Sequence, residues 1–236
     1  MGLYVRQLLA GRDFGTRDVF ASRMANFIYL IGDDEIRECM VVDPAWDIDG
    51  ILAFVDREEM RLTGALVTHY HPDHIGGDLL GLNVQGLPEL LAARPVKIHV
   101  NAEEAEGVAR VAGLSRGDIV EHRAGDEIRV GSIGIKALHT PGHTPGSQCF
   151  LAGSSLVSGD TLFTEGCGRV DLPGGDAEQM YYSLTRVLAK LPDETVLYPG
   201  HNYGAAPSST MREQKLQNYY MRIGSLDEWM RLMGRF

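Results

Sequence analysis

The chain has 236 residues, 44% of them hydrophobic, enough to bury a substantial core, and it reads as one domain over 1–236. Its formal charge of −10 argues against a protein that tracks nucleic-acid phosphates with a basic stripe, and no run of about 18 apolar residues marks a membrane span. Cys39, Cys149 and Cys167 are odd in number and share no CxxC spacing, which indicates no disulfide framework and fits a reducing, cytoplasmic setting.

The opening Met1-Gly2-Leu3-Tyr4-Val5-Arg6 lacks a positive start followed by an apolar stretch, so export is not expected. Apolar runs predict strands at 5–8, 27–31 and 40–42, and apolar residues at three- and four-residue intervals predict a helix over 47–60. A strand at 65–68 then releases Thr68-His69-Tyr70-His71-Pro72-Asp73-His74, three imidazoles and a carboxylate within six residues. Imidazole and carboxylate suit a first-row divalent metal. The two-residue spacing of His69 and His71 points both the same way on extended chain, and Pro72 turns the chain so that Asp73 and His74 leave in another direction. Two adjoining metal sites follow. Residues 79–95, with Gly81, Gly86 and Pro88 among Leu82, Val84, Leu87, Leu90 and Leu91, read as an inserted loop with a short helix, able to cover substrate, to join two subunits as a homodimer, or simply to pack.

Further strands are predicted at 97–100, 127–130, 133–138, 148–151, 155–158 and 195–198, and helices at 102–112, 177–191 and 210–221, with Asp176 as an N-cap. Three of these strand ends supply more donors: His143 in the turn His139-Thr140-Pro141-Gly142-His143-Thr144-Pro145-Gly146, Asp160 after Ser155-Leu156-Val157-Ser158-Gly159, and His201 after Leu197-Tyr198-Pro199-Gly200. Strand ends are where α/β proteins collect their chemistry. His99 and His139, lone imidazoles on apolar stretches, read as structural. Cys167, between Gly166 and Gly168, reads as a tolerated small residue in a tight turn rather than a nucleophile. The helical tail, about 208–236, carries Leu226, Trp229, Met230, Leu232 and Met233 on an amphipathic segment that packs on the core, lines a pocket or meets a second copy.

This ordered set of motifs, from about Asn26 to His201, resembles the metallo-β-lactamase superfamily. The resemblance implies an αβ/βα four-layer sandwich with two mixed sheets faced by helices. It also implies a first metal held by His69, His71 and His143, a second by Asp73, His74 and His201, and a bridging carboxylate from Asp160. Gly159-Asp160-Thr161-Leu162-Phe163 with Gly166-Cys167-Gly168-Arg169 resembles the glyoxalase II and persulfide dioxygenase branch, which works on glutathione-linked thioesters and persulfides. In that branch Tyr203 matches a position that contacts glutathione, and Arg169 is a candidate anchor for a substrate carboxylate or else the partner of Asp171. Only 35 residues follow His201, whereas glyoxalase II uses a longer helical segment to complete its glutathione site.

Two divalent ions, zinc with iron or manganese as alternatives, retain net positive charge among these ligands, so a bridging water ionises near neutral pH and the hydroxide attacks a carbonyl. Asp73 then serves both as ligand and to orient the nucleophile. The expectation is a metal-dependent hydrolase of small thioesters, or of esters, lactones or β-lactams. A mononuclear iron persulfide dioxygenase, using His69, His143 and Asp160, is the alternative from another reaction class. A purely structural metal is disfavoured, because structural zinc closes four positions with Cys and His.

Overall fold

The computed structural model describes residues 2–234; Met1 of the opening segment and the last two residues of the predicted tail lie outside them. The elements run β1 (Leu3–Leu9), α1 (Val19–Met24), β2 (Phe27–Asp33), β3 (Glu38–Val42), α2 (Ile48–Arg57), β4 (Arg61–Leu66), α3 (Pro72–Ile75), β5 (Gly77–Leu79), β6 (Leu82–Val84), α4 (Leu87–Ala93), β7 (Lys97–Asn101), α5 (Ala105–Ala112) and β8 (Ile119–His122). The second half continues with β9 (Glu127–Val130), β10 (Ile133–His139), β11 (Gln148–Ala152), β12 (Ser155–Gly159), β13 (Leu162–Phe163), β14 (Gly166–Cys167), α6 (Ala177–Tyr182), β15 (Val196–Pro199), β16 (Ser209–Thr210), α7 (Met211–Gln217) and α8 (Leu226–Met233).

Each half closes a mixed six-stranded sheet. The first has the order β1-β2-β3-β4-β7-β8, antiparallel from β1 to β3 and parallel from β3 to β8. The second has the order β16-β15-β12-β11-β10-β9, in which only β12 and β15 run parallel. Strand β2 explains the stacking: all seven of its residues are buried. Phe27, Tyr29 and Ile31 point one way, onto Ile128, Ile135 and Phe150 of the other sheet, while Ile28 and Leu30 point the other way, onto Ile48, Ile51 and Val55. A strand with both faces apolar demands cover on both sides. The second sheet is covered likewise, with Cys149, Leu156 and Leu197 against Met180, Leu184, Met211 and Trp229. The expected αβ/βα four-layer sandwich results.

Local chemistry accounts for where the elements depart from expectation. The helix expected over 177–191 is α-helical only to Tyr182, then loosens into a π turn over Ser183–Val187 and a 3-10 turn over Leu188–Lys190. There Thr185 Oγ1 donates to the Tyr181 carbonyl and Ser183 Oγ to the Pro141 carbonyl, hydroxyl bonds of the kind that compete with a helical ladder. The helix expected over 210–221 stops at Gln217, because Asn218 turns its amide onto the Phe163 and Gly166 carbonyls. Helix α1, capped by Asp18, and strand β8 were not anticipated. Segment 79–95 contains the expected short helix and the second strand of the hairpin β5–β6, which begins just before it; Leu87 and Leu90 are fully buried, so the segment packs on the first sheet's outer core.

Helix α8 packs through Trp229, which is fully buried and donates its indole N–H to the Ala177 carbonyl at 2.6 Å. Replacing Trp229 by Ala leaves a large cavity between α8 and α6, and urea denaturation should show stability lowered by about 3–5 kcal/mol. A loss under about 1 kcal/mol would mean that α8 is not part of the cooperative core.

Candidate metal centre

Strand β4 runs parallel to both β3 and β7, and β12 runs parallel to β15, so these strands deliver their C-terminal ends to one edge of the sandwich. His69, His71, Asp73 and His74 follow β4, Asp160 follows β12 and His201 follows β15, while His143 comes from the β10–β11 connection. The structure brings all seven sequence-predicted ligands together. His69 and His71 lie on extended chain with ring centroids 4.7 Å apart. Pro72 occupies the first turn of α3 and swings Asp73 and His74 onto a helical turn. Two groups of three donors form, His69–His71–His143 and Asp73–His74–His201, each with its ligand atoms mutually within 4.8 Å. Asp160 lies between them: one oxygen is 3.6 Å from His143 Nε2 and 3.4 Å from His201 Nε2, and the other is 3.4 Å from His74 Nε2.

The hydrogen bonds behind the rings show which nitrogen His69, His74, His143 and His201 offer. His143 Nδ1 donates to the Arg169 carbonyl at 2.7 Å and His201 Nδ1 to the Met24 carbonyl at 2.8 Å, so both present Nε2. Asp43, at the end of β3, sets two more. Its carboxylate accepts from His74 Nδ1 at 3.0 Å, from the Thr68 amide at 2.7 Å and from the Thr68 hydroxyl at 2.5 Å. With the hydroxyl hydrogen committed to Asp43, the Thr68 oxygen accepts from His69 Nδ1 at 3.0 Å. His69 Nε2 then carries a lone pair into the cluster, buried and without a partner, as is one oxygen of Asp160. Buried orphans of this kind are rare unless a ligand satisfies them, and nitrogen and carboxylate donors with carboxylate- or carbonyl-anchored outer nitrogens fit a transition-metal pair. The grouping of Asp43 with His69 and His74 is thus a support for the ligands and not a third cage.

The two halves differ in charge. Burial, then the neighbouring imidazoles, holds His69 well below the ordinary histidine range and His71 down to about 4, so both are neutral donors at pH 7. In the other half burial opposes charge, but Asp73 and Asp160 outweigh it and raise His74 and His201, while the same imidazoles hold both carboxyls below their usual range. His74 Nε2 and His201 Nε2 face each other at 3.2 Å beside the Asp73 and Asp160 carboxylates, with both Nδ1 atoms already donating, an arrangement of donors that suits a shared cation.

Sequence reading missed Asp43, Thr68 and a second relay. Trp46 donates its indole N–H to Asn26 Oδ1 at 2.9 Å, which fixes the amide so that Nδ2 donates to Asp73 at 3.1 Å. A carboxylate closing the apolar run of β3 was the available signal for Asp43, the same signal that marked Asp160. Gly159 explains part of the close fit: its φ is +50°, and a Cβ there would lie 2.5 Å from Thr68 Oγ1. The two proposed substrate residues sit at the rim. Tyr203, 56% exposed, stacks on His201 at 4.5 Å. Arg169 pairs through two nitrogens with Asp171 and lines, with Cys167, Tyr220 and Met233, a cavity of about 410 Å³ beside the centre.

Comparison with known proteins gives concordant relatives. The family model for the metallo-beta-lactamase superfamily matches residues 22–201. A probable polyketide biosynthesis zinc-dependent hydrolase, BaeB of Bacillus velezensis, is 29% identical over 89% of this chain and 88% of its own length. The mitochondrial persulfide dioxygenase ETHE1 of Homo sapiens is 32% identical over 92% of this chain and 80% of its own. A hydroxyacylglutathione hydrolase of a Polaromonas species is 38% identical over 75% and 62% respectively. Among solved structures, ETHE1 from Myxococcus xanthus superposes with a TM-score of 0.81 at 32% identity, covering 98% of this chain and 90% of that one.

Two outcomes follow from the geometry. In Asp43→Asn the amide cannot accept from Thr68 and His74 on both sides, and zinc affinity, measured by chelator competition, should fall about 10–100-fold. Because Asp73 and Asp160 raise His74 and His201 above the ordinary histidine range, a divalent ion competes with protons for these two rings. Zinc binding in weak buffer at pH 7 should therefore release protons, and affinity should rise with pH; binding without proton release would contradict this charge assignment.

Proposed function

The chain belongs to the metallo-beta-lactamase superfamily, and from that premise we propose that it is a dinuclear zinc hydrolase of small thioesters. One observation carries the proposal: two sets of three donors share a single carboxylate, Asp160, within 3.4–3.6 Å of nitrogens from both. Metal dependence is common to the superfamily; zinc is favoured by the description of BaeB as a zinc-dependent hydrolase, and a thioester by the hydroxyacylglutathione hydrolase match. Divalent ions in such a set supply Lewis acidity, making water nucleophilic near neutral pH and polarising a carbonyl oxygen.

The protein's own groups do the rest. His69 and His71, neutral at pH 7, would hold one ion together with His143, and Asp73, held by Asn26, would serve in the other half. Asp73 also offers a buried, ionised carboxylate that would accept a hydrogen bond from the attacking water and so orient it. Burial pushes the Cys167 thiol up to about 12, so it stays protonated and is no competing nucleophile. Tyr203 gives an aromatic wall beside His201, and Arg169 a cation at the neighbouring cavity, to seat an acyl group and an acidic carrier.

The test is elemental analysis of protein purified without added metal, with hydrolysis assays on S-lactoylglutathione, an acyl-pantetheine thioester and the matching oxygen ester. About two zinc ions per chain and preference for a thioester are expected. One iron per chain, with oxygen uptake on glutathione persulfide, would overturn the proposal in favour of the dioxygenase chemistry of the human relative. Asp73→Ala should lose the second ion and at least about 10²-fold in turnover, since such an ion supplies several kcal/mol of transition-state stabilisation. Full turnover at full occupancy would remove Asp73 from the site.

A further inference from the structure

Glu104 is fully buried between β7 and α5, yet forms no ion pair among the described residues. Its three hydrogen bonds all come from uncharged donors. Oε1 accepts from the Tyr70 amide at 2.7 Å and from the Thr144 hydroxyl at 2.8 Å, and Oε2 accepts from the Gly146 amide at 2.8 Å. Tyr70 lies between His69 and His71, and Thr144 directly follows His143. One carboxylate therefore clamps the two loops that carry all three donors of one half-site, although β4 and the β10–β11 connection belong to different sheets.

The surroundings are built around this clamp. Gly146 lets its loop approach, since a Cβ there would sit 2.5 Å from the Glu104 amide nitrogen and 2.6 Å from Oε2. Thr144 is held a second time, its amide donating to Ser147 Oγ at 3.0 Å. Burial raises the Glu104 carboxyl to about 7 against the pull of these bonds. A buried carboxylate without a counter-charge is costly, and it is retained where its hydrogen bonds fix something else in place.

We propose that Glu104 is a positioning residue that registers the His69–His71 segment against His143 and so shapes the first half-site, leaving the Asp73–His74–His201 half-site untouched. This rests on the metal-centre reading above and not on the substrate. The test measures Zn(II) affinity by chelator competition in two full-length backgrounds, His201→Ala, which leaves the first half-site, and His143→Ala, which leaves the second. In the first background Glu104→Gln, which keeps the Oε1 bonds but sets an amide N–H against the Gly146 N–H, should weaken binding about tenfold, and Glu104→Ala about a hundredfold. In the second background both should stay within about twofold of the parent, because the hydrogen bonds of Glu104 go to the loops of His69, His71 and His143 and to none of Asp73, His74 and His201.

Equal losses in both backgrounds would make Glu104 a general stability residue and overturn the proposal, as would no loss in the first. Equal losses for Gln and Ala in the first would show that charge alone acts, which also overturns it. If Glu104→Ala does not fold, Glu104→Gln decides by the same contrast between backgrounds. Failure of the unsubstituted chain to bind zinc would overturn the metal-centre reading, and this proposal with it; binding there with no contrast overturns this one alone.

Discussion

An imidazole can offer a lone pair inward only if its other nitrogen holds the proton, and the site depends on that constraint. Asp43 meets it for two ligands at once, directly for His74 and through the Thr68 hydroxyl for His69. Those two histidines belong to different halves of the cluster, so one carboxylate fixes the tautomer on both sides. Backbone carbonyls of Arg169 and Met24 do the same for His143 and His201. Each acceptor comes from a different part of the chain, which makes the donor set a product of the whole sandwich.

The sandwich supplies those acceptors because its strand ends meet at one edge. Strand β3 ends at Asp43, β4 at the His69–His74 segment, β12 at Asp160 and β15 at His201. Asn26 enters from the start of β2, an antiparallel strand, and so reaches the same edge from the opposite chain direction. The apolar layer between the sheets, Phe27, Tyr29, Phe150 and their neighbours, holds the two groups of strands in register. Side chains on rigid strand ends are placed more reproducibly than side chains on free loops, and a metal pair tolerates little misplacement.

The two halves of the centre also have different electrostatic characters. Neutral imidazoles dominate one, and ionised carboxylates beside raised imidazoles dominate the other. Asp160 touches both and lets their charges compensate. At the rim, the Tyr203 ring and the Arg169–Asp171 pair present apolar and charged surface beside the buried donor cluster.

The donors themselves were legible in the linear sequence, because metal ligation requires His and Asp where apolar runs stop, and both period and residue type survive in one dimension. The same held for the strands at 27–31, 127–130 and 148–151, whose apolar periodicity is local, and the family resemblance supplied the four-layer arrangement. What the sequence could not show was the outer shell. Asp43, Thr68, Asn26 and Glu104 look like ordinary polar residues until the fold sets them 2.5–3.1 Å from a ligand or its loop. Helix ends were likewise decided by partners distant in sequence, such as the Phe163 carbonyl that draws Asn218 out of its helix. Sequence by itself determined which atoms could bind a cation; tertiary structure decided which nitrogen of each ring faces inward, since a tautomer is set by a hydrogen-bond partner that only folding brings into contact.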